Sequence, residues 1–328
     1  MAPKLKFLTG SNPRLEPLKD GTVKVDGYDL EFTEPPGGSF NLFQHNLHND
    51  DFEVSEMSMS ESMIVRDRKE TYGNGRWNWA YIPNFLARGF NWDRICVKPG
   101  SDIKSIADLK GKRLAVGDYS MTAILWFRAM LKDLYGIEAD DIDWYNLRNR
   151  GKETGLDKDP PKGVSITWLP QDADPAEMLE NGTYDAVHGV NNAVISSGRA
   201  QPLFPSSETE RLVIEHYHKN GSEHANHHYV IQQRILDENP GVALALYNAF
   251  EKSRQVAIER AGKESGVYRY FPDMSAETQD AIFGEPYSSG IKANRRTIQR
   301  LLDGAIEQGL IVKPITVEEF YPAEVQNT

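Results

Sequence analysis

Residues 108–136 constrain what this chain can fold into more than any other stretch. An apolar run, Leu114-Ala115-Val116, has strand character and meets Gly117 at once. After a polar turn, Ile124, Phe127, Met130, Leu131 and Leu134 recur at the spacing of one helix face. Gly136 then stands where a C-cap glycine belongs. The segment therefore reads as strand, tight turn, helix. Its turn, residues 118–122, lies at the helix N-terminus, where unpaired N–H groups and the helix dipole favour an anion. An ordinary βα unit, with Ser120 or Thr122 capping the helix, fits the same letters.

The rest of the chain alternates in a similar way. Strand character marks residues 5–8, 28–32, 51–57, 79–83, 94–97, 164–169, 184–190, 211–217 and 229–231. Helical spacing appears at Phe40, Phe43 and Leu47, over residues 175–180, at Val242, Leu246 and Phe250, from Ser275, and over residues 294–308. Asn239 with Pro240 reads as a helix start. Residues 148–163 are charged, rich in Gly and Pro and without a period, so they read as a mobile surface loop with Arg148 at its start. Arg88 falls in a loop between two strand segments. Such alternation indicates α/β architecture with mainly parallel strands, where ligands sit at the carboxyl ends of strands. Glu56 through Ser60, residues 118–122 and His188-Gly189 all stand at such ends. Ser58, with Glu61 three residues on, also fits a capping box.

Composition narrows the class of partner. A net charge of −11 argues against nucleic acid or an anionic membrane. No apolar run reaches membrane-span length and the first residues lack a signal-peptide pattern, so a cytoplasmic protein is expected. The single cysteine, Cys96, excludes an intramolecular disulfide and a cysteine metal cluster. Glycine motifs for dinucleotides, phosphate loops and nucleophile elbows are absent. Two histidines one apart on a strand, His216 and His218, would share a face. With His224 and His227 they could chelate a divalent metal, or they could be exposed residues of an edge strand and loop. His227 lies just before residues 229–231, where the chain is expected to cross between lobes. A histidine facing a cleft there can transfer protons near neutral pH.

The run from Gly111 through Ala123, with Trp126, Arg128 and Tyr135-Gly136, resembles the signature of 4,5-dihydroxyphthalate decarboxylases and their relatives. The likeness continues in Glu56-Met57-Ser58-x-Ser60, in Ile82-Pro83 followed by Arg88, in His227, and in Asn239-Pro240. It extends to Pro286-Tyr287, Asn294-Arg295 and Glu307-Gln308-Gly309-Leu310, and so covers nearly the whole chain. It implies an α/β fold similar to type 2 periplasmic binding proteins, with mixed sheets flanked by helices and two crossings between lobes. Residues 1–94 and 232–328 would form one lobe and residues 95–231 the other. Where relatives often have Arg-His, this chain has Asn91-Trp92, which would shift preference among aromatic acids.

The implied activity is cofactor-independent decarboxylation of a hydroxylated aromatic acid, most closely 4,5-dihydroxyphthalate to protocatechuate with release of carbon dioxide. His227 would act as acid and base, assisted by Glu56 or His188. Arg88, Ser58, Ser60, Tyr119, Ser120, Met121 and Thr122 would bind substrate. The expected partner is a small aromatic acid; a homo-oligomer is compatible with this reading. Two competitors stand beside it: a binding protein for an aromatic acid without chemistry, and a metal-dependent hydroxyaromatic enzyme using His216, His218, His224 and His227.

Overall fold

Phe7, Val54, Ile82, Tyr229 and Ile231 come from four separate segments, and one sheet closes around them. The computed structural model describes residues 2–38, 41–89, 94–190, 192–221 and 224–328. Phe40, Asn91 and Trp92 lie outside the described residues. In chain order the strands are β1 (Lys4–Leu8), β2 (Asp29–Thr33), β3 (Val54–Ser58), β4 (Trp79–Arg88), β5 (Ile95–Val97) and β6 (Arg113–Val116). They continue with β7 (Asp143–Asn146), β8 (Ile166–Trp168), β9 (Ala186–His188), β10 (Gln201–Pro202) and β11 (Ala225–Gln232). Two mixed sheets result, ordered β2-β1-β3-β11-β4 and β10-β5-β9-β6-β7-β8. Contacts divide the chain into two compact units, residues 1–89, 222–302 and 314–328, and residues 90–221 with 303–313. Residues 303–313 thus group with the second unit, whereas the sequence reading put them in the first. Among the described residues no helix is long and apolar enough to cross a membrane.

In the first unit β1 runs parallel to β2 and β3, while β11 is antiparallel to β3 and β4. β11 spans eight residues inside this sheet, so residues 229–231 are a central strand and not a crossing. Tyr229 stacks on Phe250 at 4.0 Å, and Phe7 meets both rings at 5.5 Å. Phe250 comes from the helix Val242–Ala261, whose N-cap is Gly241 at φ 92° rather than Asn239. The pairing of β11 with β4 jumps from Tyr229↔Ile82 to His227↔Ala87. Residues 83–86 therefore bulge out of the ladder, beginning at Pro83, which has no N–H to give it. The bulge carries Arg88 to the end of the strand, so the arginine is not in a loop.

His228 illustrates how firmly this unit is packed. Its ring is fully buried and stacks on Tyr81 at 4.9 Å, with Phe320 at 5.7 Å and itself stacked on Tyr81 at 4.5 Å. Nε2 lies 2.9 Å from Ser62 Oγ. Burial first, and the neighbouring His227 second, push its pKa down from 6.5 to about 3. The folded ring is neutral where the unfolded one takes a proton. This group's contribution is therefore complete above about pH 6.5 and is lost as pH falls toward 3, by roughly 3 kcal/mol at pH 4. His228→Gln should flatten the acid side of a Tm-versus-pH curve. Parallel curves for the two proteins would show that this histidine does not set acid stability.

In the second unit β6, β7, β8 and β9 run parallel, and β5 and β10 add antiparallel pairs. The strand-turn-helix segment forms as its letters indicate: β6 buries Leu114, Ala115 and Val116, and the helix Thr122–Tyr135 follows. Gly136, at φ 63°, closes that helix, with Ile137 N donating to Leu131 O at 3.1 Å. Two expectations fail here. Residues 211–217 are not a strand but part of the helix Ser206–Asn220. Thr209, Leu212, Val213 and His216 are its buried positions, at helical spacing, and Arg211 pairs with Glu208 and Glu215 along it. Short β-branched apolar runs suit either structure, and the ion pairs and burial period decide. Residues 148–163 are also not simply a surface loop. They include the short helix Arg150–Glu153 and bury Gly151, Thr154 and Leu156.

Candidate active site

Antiparallel pairing of β3 with β11 sets Ser58 opposite His227 and Glu56 opposite Tyr229. Glu56 and His227 are thus diagonal neighbours on one face, within reach of long side chains. Glu56 Oε1 stands 2.7 Å from His227 Nδ1. With the carboxylate accepting, Nδ1 carries the proton and Nε2 is left as the acid–base atom of the ring. Phe43 packs edge-on against that ring at 4.6 Å and limits its tilt. The glutamate side chain is 12% exposed and the histidine 29%. The carboxylate is shielded, while the imidazole remains open to a ligand.

Strand direction gathers further groups at this end of the sheet. β3 ends at Ser58, β4 ends at Arg88, and β11 begins at Ala225, the ladder partner of Arg88. Ser58 Oγ lies 3.3 Å from Ser60 Oγ. Ser58 is the N-cap of the helix Met59–Tyr72 by backbone position, but its side chain makes no cap bond, so the capping box does not form. Arg88 is buried, and its Nη2 donates to Ser288 O at 2.9 Å and to Asn294 Oδ1. Those two acceptors orient the guanidinium plane, which is what a planar two-bond grip on a carboxylate requires.

The second unit builds its turn around its own carboxylate. Asp118 is fully buried. Its Oδ1 accepts from Ser120 N and Ser120 Oγ, each at 2.8 Å, and its Oδ2 accepts from Gly151 N at 2.9 Å. Burial pushes the Asp118 carboxyl up, against the pull of these hydrogen bonds. Tyr119 N donates to Asn146 Oδ1 at 2.9 Å. Three of the turn's N–H groups, those of Tyr119, Ser120 and Met121, are thus taken from within, the last donating to Asp118 O at 3.2 Å. Tyr119 is also fully buried, with its hydroxyl donating to Gln308 O at 3.1 Å. Arg128 lies 3.6 Å over the Tyr119 ring, donates Nη2 to Tyr119 O at 2.9 Å, and donates Nε to Gln308 Oε1 at 2.5 Å. Met121, rather than Ser120 or Thr122, is the N-cap residue of the following helix, and its own side chain makes no cap hydrogen bond. Ser120 and Thr122 are buried beside it.

The remaining histidines separate. His188 ends β9, buried, 6.4 Å from the Phe127 ring. His216 and His218 lie on a helix, where residues two apart diverge, so the shared strand face assumed for a metal is absent. His216 Nε2 instead meets Asp133 Oδ2 at 3.1 Å. Among the described residues no group of three or more His, Cys, Asp or Glu is placed to hold a metal ion.

Two curated relatives match, and each is a 4,5-dihydroxyphthalate decarboxylase. The protein from Comamonas testosteroni is 27% identical over 99% of this chain and 98% of its own length. The protein from Pseudomonas putida is 33% identical over 56% of this chain and 69% of its own length. The chain belongs to the 4,5-dihydroxyphthalate decarboxylase family. No family profile matches it. Among solved structures, the periplasmic aliphatic sulphonate binding protein SsuA from Escherichia coli aligns over 100% of both chains at 13% identity with a TM-score of 0.54. That likeness shows the periplasmic-binding-protein-like fold.

In this member of the decarboxylase family, two residues without a role in the sequence reading stand beside the turn. Asn146 ends β7 and holds Tyr119 N. Arg148 follows it, with Nη1 3.9 Å from Met121 Sδ. Both lie at the carboxyl end of a parallel strand, where ligands of such sheets gather. Each stands 27 positions from its partner in the turn, so no local pattern links them to it.

Proposed function

We propose that this protein decarboxylates a hydroxylated aromatic acid, 4,5-dihydroxyphthalate in the first instance, giving protocatechuate and carbon dioxide. The 2.7 Å contact between Glu56 and His227 carries this reading. A receptor needs no carboxylate-backed imidazole with an open nitrogen; a proton-transfer enzyme does. In this substrate each carboxylate is para to a hydroxyl, so electron release from that oxygen lets the carboxyl-bearing ring carbon accept a proton. His227, protonated and held at Nδ1 by Glu56, gives its Nε2 proton to that carbon. The bond to the carboxylate then breaks, its electron pair restores the aromatic ring, and carbon dioxide leaves. His227 regains a proton from water. The step as written uses no cofactor.

Arg88, with Ser58 and Ser60 at the same end of the sheet, is assigned the carboxylate that stays. A tight grip on the leaving carboxylate would favour the ground state over the transition state and slow the reaction. Arg88→Lys should therefore weaken a dicarboxylate by about tenfold or more, the cost of a lost charge-assisted pair, and a dihydroxybenzoate far less. Calorimetric titration of the two ligands separates these outcomes; equal losses would remove Arg88 from that role. Tyr119 is assigned to holding its turn, because its hydroxyl and ring are engaged inside the second unit. Turnover decides the reading as a whole. Incubation with 4,5-dihydroxyphthalate should release carbon dioxide, and tight binding without release would make the protein a receptor.

A further inference from the structure

A cavity of about 260 Å³ in the first unit is lined by Arg66, Lys69, Trp77, Trp79 and Tyr81. It lies toward the end of the sheet opposite the acid–base pair. Trp79 opens β4 and pairs with Gln232, the last residue of β11, whereas His227 stands near the start of β11. Along β11 the step from residue 227 to residue 232 is roughly 17 Å at the usual rise of a strand. The cavity is therefore separate from Glu56 and His227.

Its charge is one-sided. Arg66 and Lys69 are three residues apart on the helix Met59–Tyr72, and so neighbours on its surface. Among the described residues neither makes an ion pair, and the Lys69 ammonium reaches Asn78 Oδ1 at 3.4 Å. Glu319 senses the Arg66 charge, but its carboxylate accepts from Thr316 N and Thr316 Oγ1, each at 2.9 Å. Among those residues neither cation is held by a carboxylate at hydrogen-bond distance, in a chain of net charge −11.

The rest of the wall is aromatic and held in place. Trp77 is buried, with Nε1 donating to Leu47 O at 2.9 Å. Its backbone sits at φ 66°, a left-handed conformation rare for a large side chain, and Asn74 nearby sits at φ 52°. Strain of this kind persists where the surroundings demand it, and it clusters at ligand clamps and active sites. Trp79 is buried, and its indole N–H has no acceptor among the described residues, a donor that needs an explanation. Tyr81 is anchored through its hydroxyl to Ser62 O at 2.9 Å.

We propose that this cavity binds a single-ring aromatic carboxylate, the anion against Arg66 and Lys69 and the ring against the tryptophan and tyrosine wall. The volume falls just below the roughly 300–1,000 Å³ of pockets for drug-sized ligands, which suits one ring and one carboxylate. The proposal does not depend on the reaction assigned to Glu56 and His227.

Benzoate is the probe, followed by calorimetry and by the indole N–H signal of Trp79, assigned through Trp79→Phe. The Trp79 signal should shift saturably. Arg66→Glu with Lys69→Glu should weaken that binding by at least about tenfold, the loss of one good charge contact. Cyclohexanecarboxylate, with the same charge and no aromatic ring, should bind at least about threefold more weakly. If charge reversal unfolds the protein, Arg66→Gln with Lys69→Gln removes the charges more gently and should show the same direction. An unmoved Trp79 signal, undiminished affinity in the folded charge variants, or inorganic phosphate acting as well as benzoate would each overturn the proposal.

Discussion

Replacing His227 with asparagine is expected to lower kcat by about a hundred- to ten-thousand-fold, the usual worth of a positioned acid–base group. Substrate affinity should change far less, because the ring acts on the proton and not on the carboxylates. Glu56→Gln should act in the same direction and by a smaller factor. An amide can still orient the imidazole, but it cannot support the imidazolium with a full charge. The double variant should be little worse than His227→Asn alone, since two groups acting as a unit are not additive. The histidine is 29% exposed, so Tm should stay close to wild type. Single variants that each keep kcat/KM within a few fold of wild type would end the acid–base reading of this pair.

Asp118→Ala is expected to be the most damaging single substitution to stability, at about 3–5 kcal/mol by denaturant titration. It removes the acceptor for Ser120 N, Ser120 Oγ and Gly151 N together, all inside a buried turn. Asp118→Asn should recover only part of the loss. One oxygen can still serve Ser120, but the amide nitrogen would then face the Gly151 N–H, donor against donor. A variant as stable as wild type would mean that the turn is held by Arg128, Asn146 and Gln308 without the carboxylate. The contrast with His227 is informative. One residue is expected to matter for rate with little effect on stability, the other chiefly for stability.

Part of this was legible from local letters. The segment from Arg113 to Gly136 announces itself because a strand, a glycine turn and a helix each leave a signature within a few residues. The helices Pro175–Glu180 and Ala276–Phe283 read the same way, through Pro175 and through Ser275 at their starts; the side-chain cap Asp174 gives the first is visible only in the structure. Residues 211–217 were not legible, because Leu212, Val213 and Ile214 suit a strand or a helix equally and only packing chooses. The strand expected at 229–231 was found, but its place in the sheet was not. That place depends on β11 entering antiparallel between β3 and β4.

The candidate site divides along the same line. Glu56, His227 and Arg88 could be named as residue types at strand ends and through resemblance to a family. That Glu56 and His227 touch, across 171 positions of sequence, is a matter of strand register, which no local pattern encodes. The same holds for Tyr119, expected among the substrate-binding residues, whose side chain is enclosed by Arg128 and by Gln308, 189 positions away. Local sequence determines where strands, turns and helices start and stop, because backbone preference and side-chain period act over a few residues. Tertiary structure alone decides which buried polar groups satisfy one another and which remain open to a substrate, because each such pair depends on segments that only the completed fold brings within hydrogen-bond reach.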